Sequence, residues 1–309
     1  MTHEPVSLKR RRFLQGIAGL AAAGWLSPAA ALPQSIRSRR IPVSGEPVPV
    51  IGMGTWQTFD VGDATEMVTA RAQVLKTFLD MGGGMVDSSP MYGSSEQVIG
   101  ACRALLGDDA GLFSATKVWT PGRWLGIQQM QRSQRLWGVP RFDLMQIHNM
   151  LDWEAHLPTL REWKADGRIR YIGITTSHGR RHEALAKALE QEDFDFVQFT
   201  YNMLDREAEQ RLLPLAAERG VAVIVNRPFR HGELFDYVAG KPLPPWASEF
   251  DCSNWAQFFL KFIVSHPAVT VAIPATRRVD HMQENMGAGF GRLPEPAMRT
   301  RMVRYVETL

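Results

Sequence analysis

FDLMQIHNMLDWEAHLPTLREWKADGRIRYIGITT, the sequence of residues 142–176, decides the fold class of this chain. Two short and mostly apolar runs, Phe142–His148 and Ile169–Thr176, flank the amphipathic stretch Ala155–Lys164. A strand, a helix and a second strand at this spacing are typical of a βαβ unit, in which the two strands pair in parallel. The stretch therefore predicts an α/β fold with a parallel sheet.

The same alternation continues on both sides of this unit. Six further strands are predicted at Val48–Trp56, Gly84–Asp87, Leu112–Val118, Phe194–Tyr201, Val221–Asn226 and Val269–Thr276. Six further helices are predicted at Ala64–Met81, Glu96–Leu106, Ile127–Trp137, Arg181–Glu190, Glu207–Arg219 and Asn254–Val264. Eight strands that alternate with helices predict a (β/α)₈ TIM barrel, which we assign to residues 32–309.

A doubly wound sheet is the alternative arrangement of such units. That fold commonly carries the pattern G-x-G-x-x-G directly after its first strand. Here the first strand ends in Gly52-Met-Gly54-Thr-Trp56, which lacks the third glycine. The barrel is therefore preferred, with the long connection Phe229–Ser253 as a predicted lid or cofactor clamp.

Residues 1–31 have the three parts of an export signal. The basic run Lys9–Arg12 precedes a mild apolar stretch, Phe13–Leu26, and Ala29–Ala31 forms an A-x-A cleavage pattern. The apolar stretch is shorter than the roughly 20 residues of a membrane span. Arg10–Leu14 resembles the twin-arginine consensus, an ordinary Sec signal being the alternative. We therefore expect a Tat translocase partner, a periplasmic destination and no stable membrane span.

Charge and cysteine content narrow the function classes. The formal net charge is +3, and the predicted leader carries all of it, so the remaining chain offers no support for nucleic-acid binding. Cys102 and Cys252 fit no metal-ligand spacing and no C-x-x-C motif. We expect two buried free thiols and no metal site.

Polar residues stand where the predicted strands end, and in a barrel these ends form the catalytic face. They are Thr55, Asp87, Lys117, His148, Thr175, Thr176, Gln198, Asn226 and Thr276. An acid, an amine and an imidazole in register predict a barrel enzyme that uses acid–base chemistry. A glycoside hydrolase would need two facing carboxylates, but only Asp87 stands at a strand end.

Several motifs, in order along residues 48–285, resemble those of the aldo/keto reductases. They are Asp87-Ser-Ser-Pro-Met-Tyr92-Gly, Ala115-Thr-Lys117-Val-Trp, Asp143-Leu-Met-Gln-Ile-His148, Gly167–Thr176, Gln198 with Tyr201–Arg206, and Ile273-Pro-Ala-Thr276 with Glu284-Asn285. The resemblance implies reduction of an aldehyde or ketone, with hydride taken from NADP(H) and NAD(H) as the alternative cofactor.

The resemblance also implies a catalytic tetrad. Tyr92 would protonate the carbonyl oxygen, and Lys117 would lower the pKa of this tyrosine from its ordinary value near 10. Asp87 would keep Lys117 charged, and His148 would orient the carbonyl.

A set of cofactor-binding residues is implied in the same way. Thr175, Thr176 and Gln198 would hold the carboxamide, and Arg277 or Arg278 would pair with a 2′-phosphate. The full set is Gly54, Thr55, Trp56, Thr175, Thr176, Gln198, Asn226, Arg227, Thr276, Arg277, Glu284 and Asn285.

The sequence departs from the family pattern around the expected nicotinamide. Asn226 stands where many members have a stacking tyrosine, with Phe229 as a candidate substitute, and Arg227 would approach the pyrophosphate. Thr175-Thr176 replaces Ser-Asn, and His281 replaces a phosphate-binding arginine. These changes, together with export, leave an alternative function: a nicotinamide-binding sensor or structural protein with little turnover. An aromatic rim of Trp56, Trp119 and Trp124 is also predicted.

Overall fold

The computed structural model describes residues 35–107 and 112–309, so the leader predicted at residues 1–31 lies outside the described residues. Within the described part, eight parallel strands form one sheet, and their order in the sheet follows the chain. They are β3 (Met53–Gly54), β4 (Met85–Asp87), β5 (Phe113–Val118), β6 (Phe142–Ile147), β7 (Ile169–Thr175), β8 (Phe196–Thr200), β9 (Ala222–Asn226) and β10 (Val271–Ala272).

Backbone hydrogen bonds between the first and last strands close this sheet into a barrel. The amide of Gly52 donates to the carbonyl of Ala272 at 2.8 Å, and the amide of Gly54 donates to Pro274 at 3.0 Å. A Cβ on Gly54 would lie 2.8 Å from the carbonyl oxygen of Ile273, so glycine permits this close approach. The predicted (β/α)₈ barrel is confirmed.

Helices follow the strands around the outside of the barrel. They are α1 (Thr65–Asp80), α2 (Ser95–Leu106), α3 (Arg123–Trp137), α4 (Trp153–Ala165), α5 (His182–Gln191), α6 (Leu212–Arg219), α7 (Glu233–Tyr237), α8 (Trp255–Val264), α9 (Val279–Gly287) and α10 (Pro296–Glu307). The seven predicted helices agree with α1–α6 and α8 to within a few residues, whereas α7, α9 and α10 were not assigned from the sequence.

The first predicted strand, Val48–Trp56, is wrong as a single element. Its first part forms β2 (Pro47–Pro49), which pairs antiparallel with β1 (Ser38–Arg40), and its second part is β3 of the barrel. The last predicted strand, Val269–Thr276, is shorter than expected, because Pro274 has no amide hydrogen with which to continue the ladder.

The amino-terminal end of the barrel is filled by apolar side chains. Met85, Phe113 and Phe196, each the first residue of its strand, belong to one buried cluster with Ile41 and Val48 of the hairpin. The hairpin therefore covers this end. Because apolar packing fills the bottom, the polar residues of the opposite strand ends are left to line a cavity.

The long connection Phe229–Ser253 is attached to the barrel wall by a buried lysine. Lys261 of α8 donates from Nζ to the carbonyls of Phe250 at 2.9 Å, Phe290 at 2.7 Å and Arg292 at 2.9 Å. Burial lowers the pKa of Lys261 to about 8. These three bonds join the connection to the segment that follows α9.

Two further predictions concern thiols and membrane contact. Cys102 and Cys252 are both buried and free, as expected. Among the described residues, none of the helices has the length and apolar character needed to cross a membrane.

Candidate active site

The four predicted tetrad residues meet at the carboxyl end of the barrel. Asp87 ends β4, Lys117 lies near the end of β5, and His148 directly follows β6. Tyr92 lies in the loop after β4, where its backbone amide donates to the carbonyl of Ser89. Asp87, Tyr92 and His148 line a cavity of about 360 Å³, a size suited to a small ligand.

Asp87 and Lys117 form a buried ion pair behind this cavity. Lys117 Nζ lies 2.5 Å from Asp87 Oδ2, and the two side chains are at most 2% exposed. Burial by itself would lower the pKa of Lys117, but the charges and hydrogen bonds of Asp87 and Tyr92 together outweigh it and raise the pKa. Lys117 is therefore an ammonium ion at neutral pH.

Two glutamines hold the other oxygen of Asp87. Gln146 Nε2 donates to Asp87 Oδ1 at 2.8 Å, and Gln198 Nε2 donates to the same atom at 3.1 Å. Gln146 was not assigned from the sequence. Its position two residues before His148 in a strand was the available signal, because residues i and i+2 of a strand share one face.

The ring of Tyr92 lies beside this ion pair. Lys117 Nζ lies 5.1 Å from the centroid of the Tyr92 ring, and the His148 ring lies edge-on to it at 5.6 Å. Burial raises the pKa of Tyr92; Lys117 opposes this shift and Asp87 adds to it. Lys117 acts in the predicted direction, but the prediction of a lowered pKa is wrong because burial outweighs it. Tyr92 is therefore a protonated phenol.

His148 is held as a neutral imidazole. Its Nδ1 lies 2.8 Å from Ser89 Oγ, and the side chain is 4% exposed. Burial, with a smaller contribution from Lys117, lowers the pKa of His148 to about 2. A neutral ring can present one N–H to a carbonyl oxygen in the cavity.

Eight of the predicted cofactor residues line the same cavity as the tetrad: Gly54, Thr55, Trp56, Thr175, Thr176, Gln198, Asn226 and Arg227. Thr176 Oγ1 is buried and has no hydrogen-bond partner within the described part of the chain. An unpaired buried hydroxyl is costly unless a ligand pairs with it. This wall therefore fits a carboxamide or a similar polar ligand group.

Asn226 is held by its neighbours rather than directed at a ligand ring. Its Nδ2 donates to the carbonyl of Thr176 at 2.8 Å, and its Oδ1 accepts from Thr200 Oγ1 at 2.7 Å. Phe229, the suggested substitute for the stacking tyrosine, lines the cavity and also packs against Phe235 at 4.8 Å between ring centroids.

The mouth of the cavity carries a group that we call the rim cluster, formed by Arg227, His178 and His231. Arg227 Nη1 donates to Nε2 of both histidines, at 2.5 Å in the case of His178. Burial, with Arg227 as the next cause, lowers the pKa of both histidines, which suits them as acceptors. The ring of Trp56 packs edge-on against His231 at 4.4 Å. Neither histidine was assigned from the sequence.

Four predicted cofactor residues do not line this cavity. Thr276, Arg277, Glu284 and Asn285 lie on the segment after β10 and on α9. Arg278, the alternative phosphate ligand, pairs with Asp280, whereas Arg277 is exposed and has no ion pair among residues 35–107 and 112–309.

The predicted aromatic rim is wrong in part. Trp56 lines the cavity, but Trp124 is 69% exposed and does not line it. Trp119 is 41% exposed, with its ring 6.4 Å from that of His148.

Across the described residues, no group of three or more His, Cys, Asp or Glu side chains could hold a metal ion.

Comparisons with known proteins assign the family of this chain. The model of the aldo/keto reductase family matches residues 50–300, so the chain belongs to the aldo/keto reductases, a family of oxidoreductases. An uncharacterised oxidoreductase of Schizosaccharomyces pombe is 26% identical over 77% of this chain and 78% of its own length. The NADH-specific methylglyoxal reductase of Escherichia coli is 28% identical over 62% of this chain and 68% of its own length.

A solved structure gives the same result for the fold. The aldo/keto reductase of Klebsiella pneumoniae, in complex with NADP and acetate, matches with a TM-score of 0.72 at 21% identity. The match covers 85% of this chain and 93% of that one.

Proposed function

We propose that this protein reduces an aldehyde or ketone with a nicotinamide cofactor, and that Tyr92 is the general acid. The observation that carries the proposal is the buried Asp87–Lys117 pair beside Tyr92 and His148 in one cavity. This arrangement provides a proton donor, a neighbouring cation and a neutral hydrogen-bond donor around one point, as carbonyl reduction requires.

Each residue would have a distinct role. The cofactor would supply a hydride to the carbonyl carbon, which leaves negative charge on the oxygen. Tyr92 would give that oxygen its proton, because an alkoxide is a much stronger base than a phenolate. Lys117 would stabilise the phenolate that forms, while Asp87 keeps Lys117 charged and in position. His148 would hold the carbonyl oxygen by a hydrogen bond.

NADP(H) is the proposed cofactor, with NAD(H) as the alternative. The unpaired Thr176 Oγ1 and the neighbouring Gln198 fit a carboxamide, and Arg227 would lie near the pyrophosphate. Arg277, exposed and unpaired in the described part, would meet a 2′-phosphate. The Klebsiella pneumoniae complex with NADP supports the first cofactor, and the NADH-specific Escherichia coli relative supports the second.

We also propose that the protein is exported by the twin-arginine route and works in the periplasm. The support is the sequence of residues 1–31, with Arg10–Leu14 in the twin-arginine pattern. Because that route carries folded proteins, the cofactor would bind before export.

Turnover by a Tyr92→Phe variant tests the proposed reaction. We expect NADPH binding to be retained and kcat to fall by about 10²–10⁴, the usual contribution of a general acid. Tyr237→Phe, at a tyrosine that is 44% exposed on α7, is the matched control and should turn over like wild type. Wild-type turnover by the Tyr92 variant would contradict the mechanism. Tight NADPH binding without multiple turnover by the wild type, over a panel of aldehydes, would instead favour the sensor.

A further inference from the structure

Ser89 lies directly behind the imidazole of His148. Its side chain is fully buried, its Oγ lies 2.8 Å from His148 Nδ1, and the backbone amide of Met91 donates to the same Oγ at 3.2 Å. The proposed reaction assigns no role to this serine. Its hydroxyl makes no hydrogen bond to Asp87, Lys117 or Tyr92 among the described residues, so His148 is the tetrad residue to which it bonds directly.

The position of the hydroxyl proton follows from counting donors and acceptors. A serine hydroxyl has one proton to give, and Ser89 has no acceptor for it other than His148 Nδ1 among the described residues. If Nδ1 carried the imidazole proton, the buried hydroxyl hydrogen of Ser89 would be left unpaired, which is unfavourable. If Ser89 donates to Nδ1, both the hydroxyl of Ser89 and the Nδ1 atom of His148 are satisfied.

The tautomer of the ring determines whether His148 presents a hydrogen-bond donor or an acceptor to the cavity. A neutral imidazole carries one proton, so an Nδ1 that accepts from Ser89 leaves the proton on Nε2. His148 lines the cavity, and no side-chain or backbone group within the described residues bonds to its Nε2. The ring edge that can meet a substrate oxygen is therefore a donor.

We infer that Ser89 is a positioning residue that holds His148 in the Nε2–H tautomer, so that the ring donates a hydrogen bond to the substrate carbonyl. The inference rests on the proposed function for its consequence, but not for the tautomer itself. The opposite tautomer would direct a lone pair at the carbonyl oxygen and would repel it.

The tautomer can be measured without any turnover. In wild-type protein labelled with ¹⁵N-histidine, two-bond ¹⁵N–¹H spectra at pH 7 should show His148 with Nε2 protonated and Nδ1 unprotonated. A Ser89→Ala variant should give a mixture of the two tautomers. Ser88→Ala makes the same change in the neighbouring buried serine, whose Oγ has no partner in the described chain, and should leave the His148 spectrum unchanged.

Kinetics then test the consequence. We expect Ser89→Ala to lower kcat/KM for the carbonyl by about tenfold, as the loss of one buried hydrogen bond would. NADPH affinity should stay at the wild-type value, and Ser89→Thr, which keeps the hydroxyl, should restore the Nε2–H tautomer and most of the rate. An Nδ1–H tautomer in wild type, or an unchanged spectrum in Ser89→Ala, would overturn the inference. Failure of the proposed reaction would appear separately, as a Tyr92→Phe variant with full activity.

Discussion

The floor of the cavity and its rim are built in opposite ways. On the floor, Asp87, Lys117 and His148 stand at strand ends and are at most 4% exposed. At the mouth, His178, Arg227 and His231 of the rim cluster all adopt left-handed backbone conformations, with φ of 63°, 50° and 61°. Such φ values cost a non-glycine residue roughly 1–2 kcal/mol each. The strands of the barrel fix the positions of the floor residues. The rim residues lie in strained loops, which are joined by the hydrogen bonds of Arg227 to the two histidines.

This difference separates the effects expected of mutations in the two regions. A change on the floor leaves a buried charge or hydrogen bond without its partner, so it should affect both stability and the chemical step. A change in the rim cluster removes contacts of half-exposed groups, so it should affect ligand affinity and little else.

The largest effect is expected from Lys117→Met. The variant leaves the buried carboxylate of Asp87 without its cation, which typically costs about 3–5 kcal/mol of unfolding free energy. It also removes the cation beside Tyr92, so turnover should fall by at least about 10²-fold. Urea denaturation and single-turnover kinetics would measure the two losses.

Lys76→Met is the matched control for that variant. Lys76 and Asp80 also form an ion pair at 2.7 Å, but their side chains are 52% and 60% exposed. Surface pairs of this kind contribute about 0.3–0.5 kcal/mol, so stability and turnover should stay close to wild type. Equal losses in the two variants would contradict the distinction between a buried floor and an exposed surface.

The floor could be predicted from the sequence, because parallel strands that end together bring Asp87, Lys117 and His148 to one face. Its hydrogen-bond partners were harder to assign. Gln146 has only its spacing of two residues from His148 as a signal, and Ser89 has none, because its role depends on how the loop after β4 packs against His148.

The rim cluster could not be predicted for a different reason. Left-handed backbone is signalled most strongly by glycine, whereas here it is adopted by one arginine and two histidines, residue types that usually have negative φ. The division of Val48–Trp56 between two sheets could not be predicted either, because an apolar run does not show which strand each of its parts pairs with. Local sequence therefore predicted the elements, and tertiary contacts decided the exceptions.

A smaller effect on the free energy of unfolding is expected when the pH is lowered, and a comparison of wild type with a His148→Gln variant measures it. The pKa of His148 is about 2 in the folded protein and near 6.5 when unfolded. Between these values the unfolded chain binds one proton more, so acid favours unfolding by about 1.4 kcal/mol per pH unit. Between pH 6 and pH 4, the unfolding free energy of wild type should therefore fall more steeply than that of the His148→Gln variant. The expected difference between the two slopes is about 1.4 kcal/mol per pH unit.

The rim histidines provide the comparison for this slope. The pKa values of His178 and His231 are also lowered, so their contribution has the same sign and is lost as the pH falls through each folded pKa. These residues are exposed, and solvent screens them, so the double variant His178→Gln, His231→Gln should alter the slope less than His148→Gln does. A larger change in the double variant would mean that the rim, not the floor, dominates acid sensitivity.

The smallest effect is expected from Arg227→Gln. Under the proposed function this change removes a cation near the cofactor pyrophosphate, so the Kd for NADPH should rise by about fivefold to tenfold, as when one exposed charge-assisted contact is lost. Because Arg227 is separate from the floor, kcat at saturating NADPH should stay within about twofold of wild type. Fluorescence titration at two salt concentrations would measure the affinity and its dependence on charge.

Arg230→Gln is the control for this last change, because it removes a neighbouring arginine whose charge is already balanced. Arg230 Nε lies 3.5 Å from Asp205 and 3.3 Å from Glu233, so its removal should leave the affinity for NADPH nearly unchanged. If both variants bound NADPH like wild type, Arg227 would serve only to hold His178 and His231 together. If Arg227→Gln lost kcat instead of affinity, the rim cluster would have to act on the floor, and the separation of the two regions would fail.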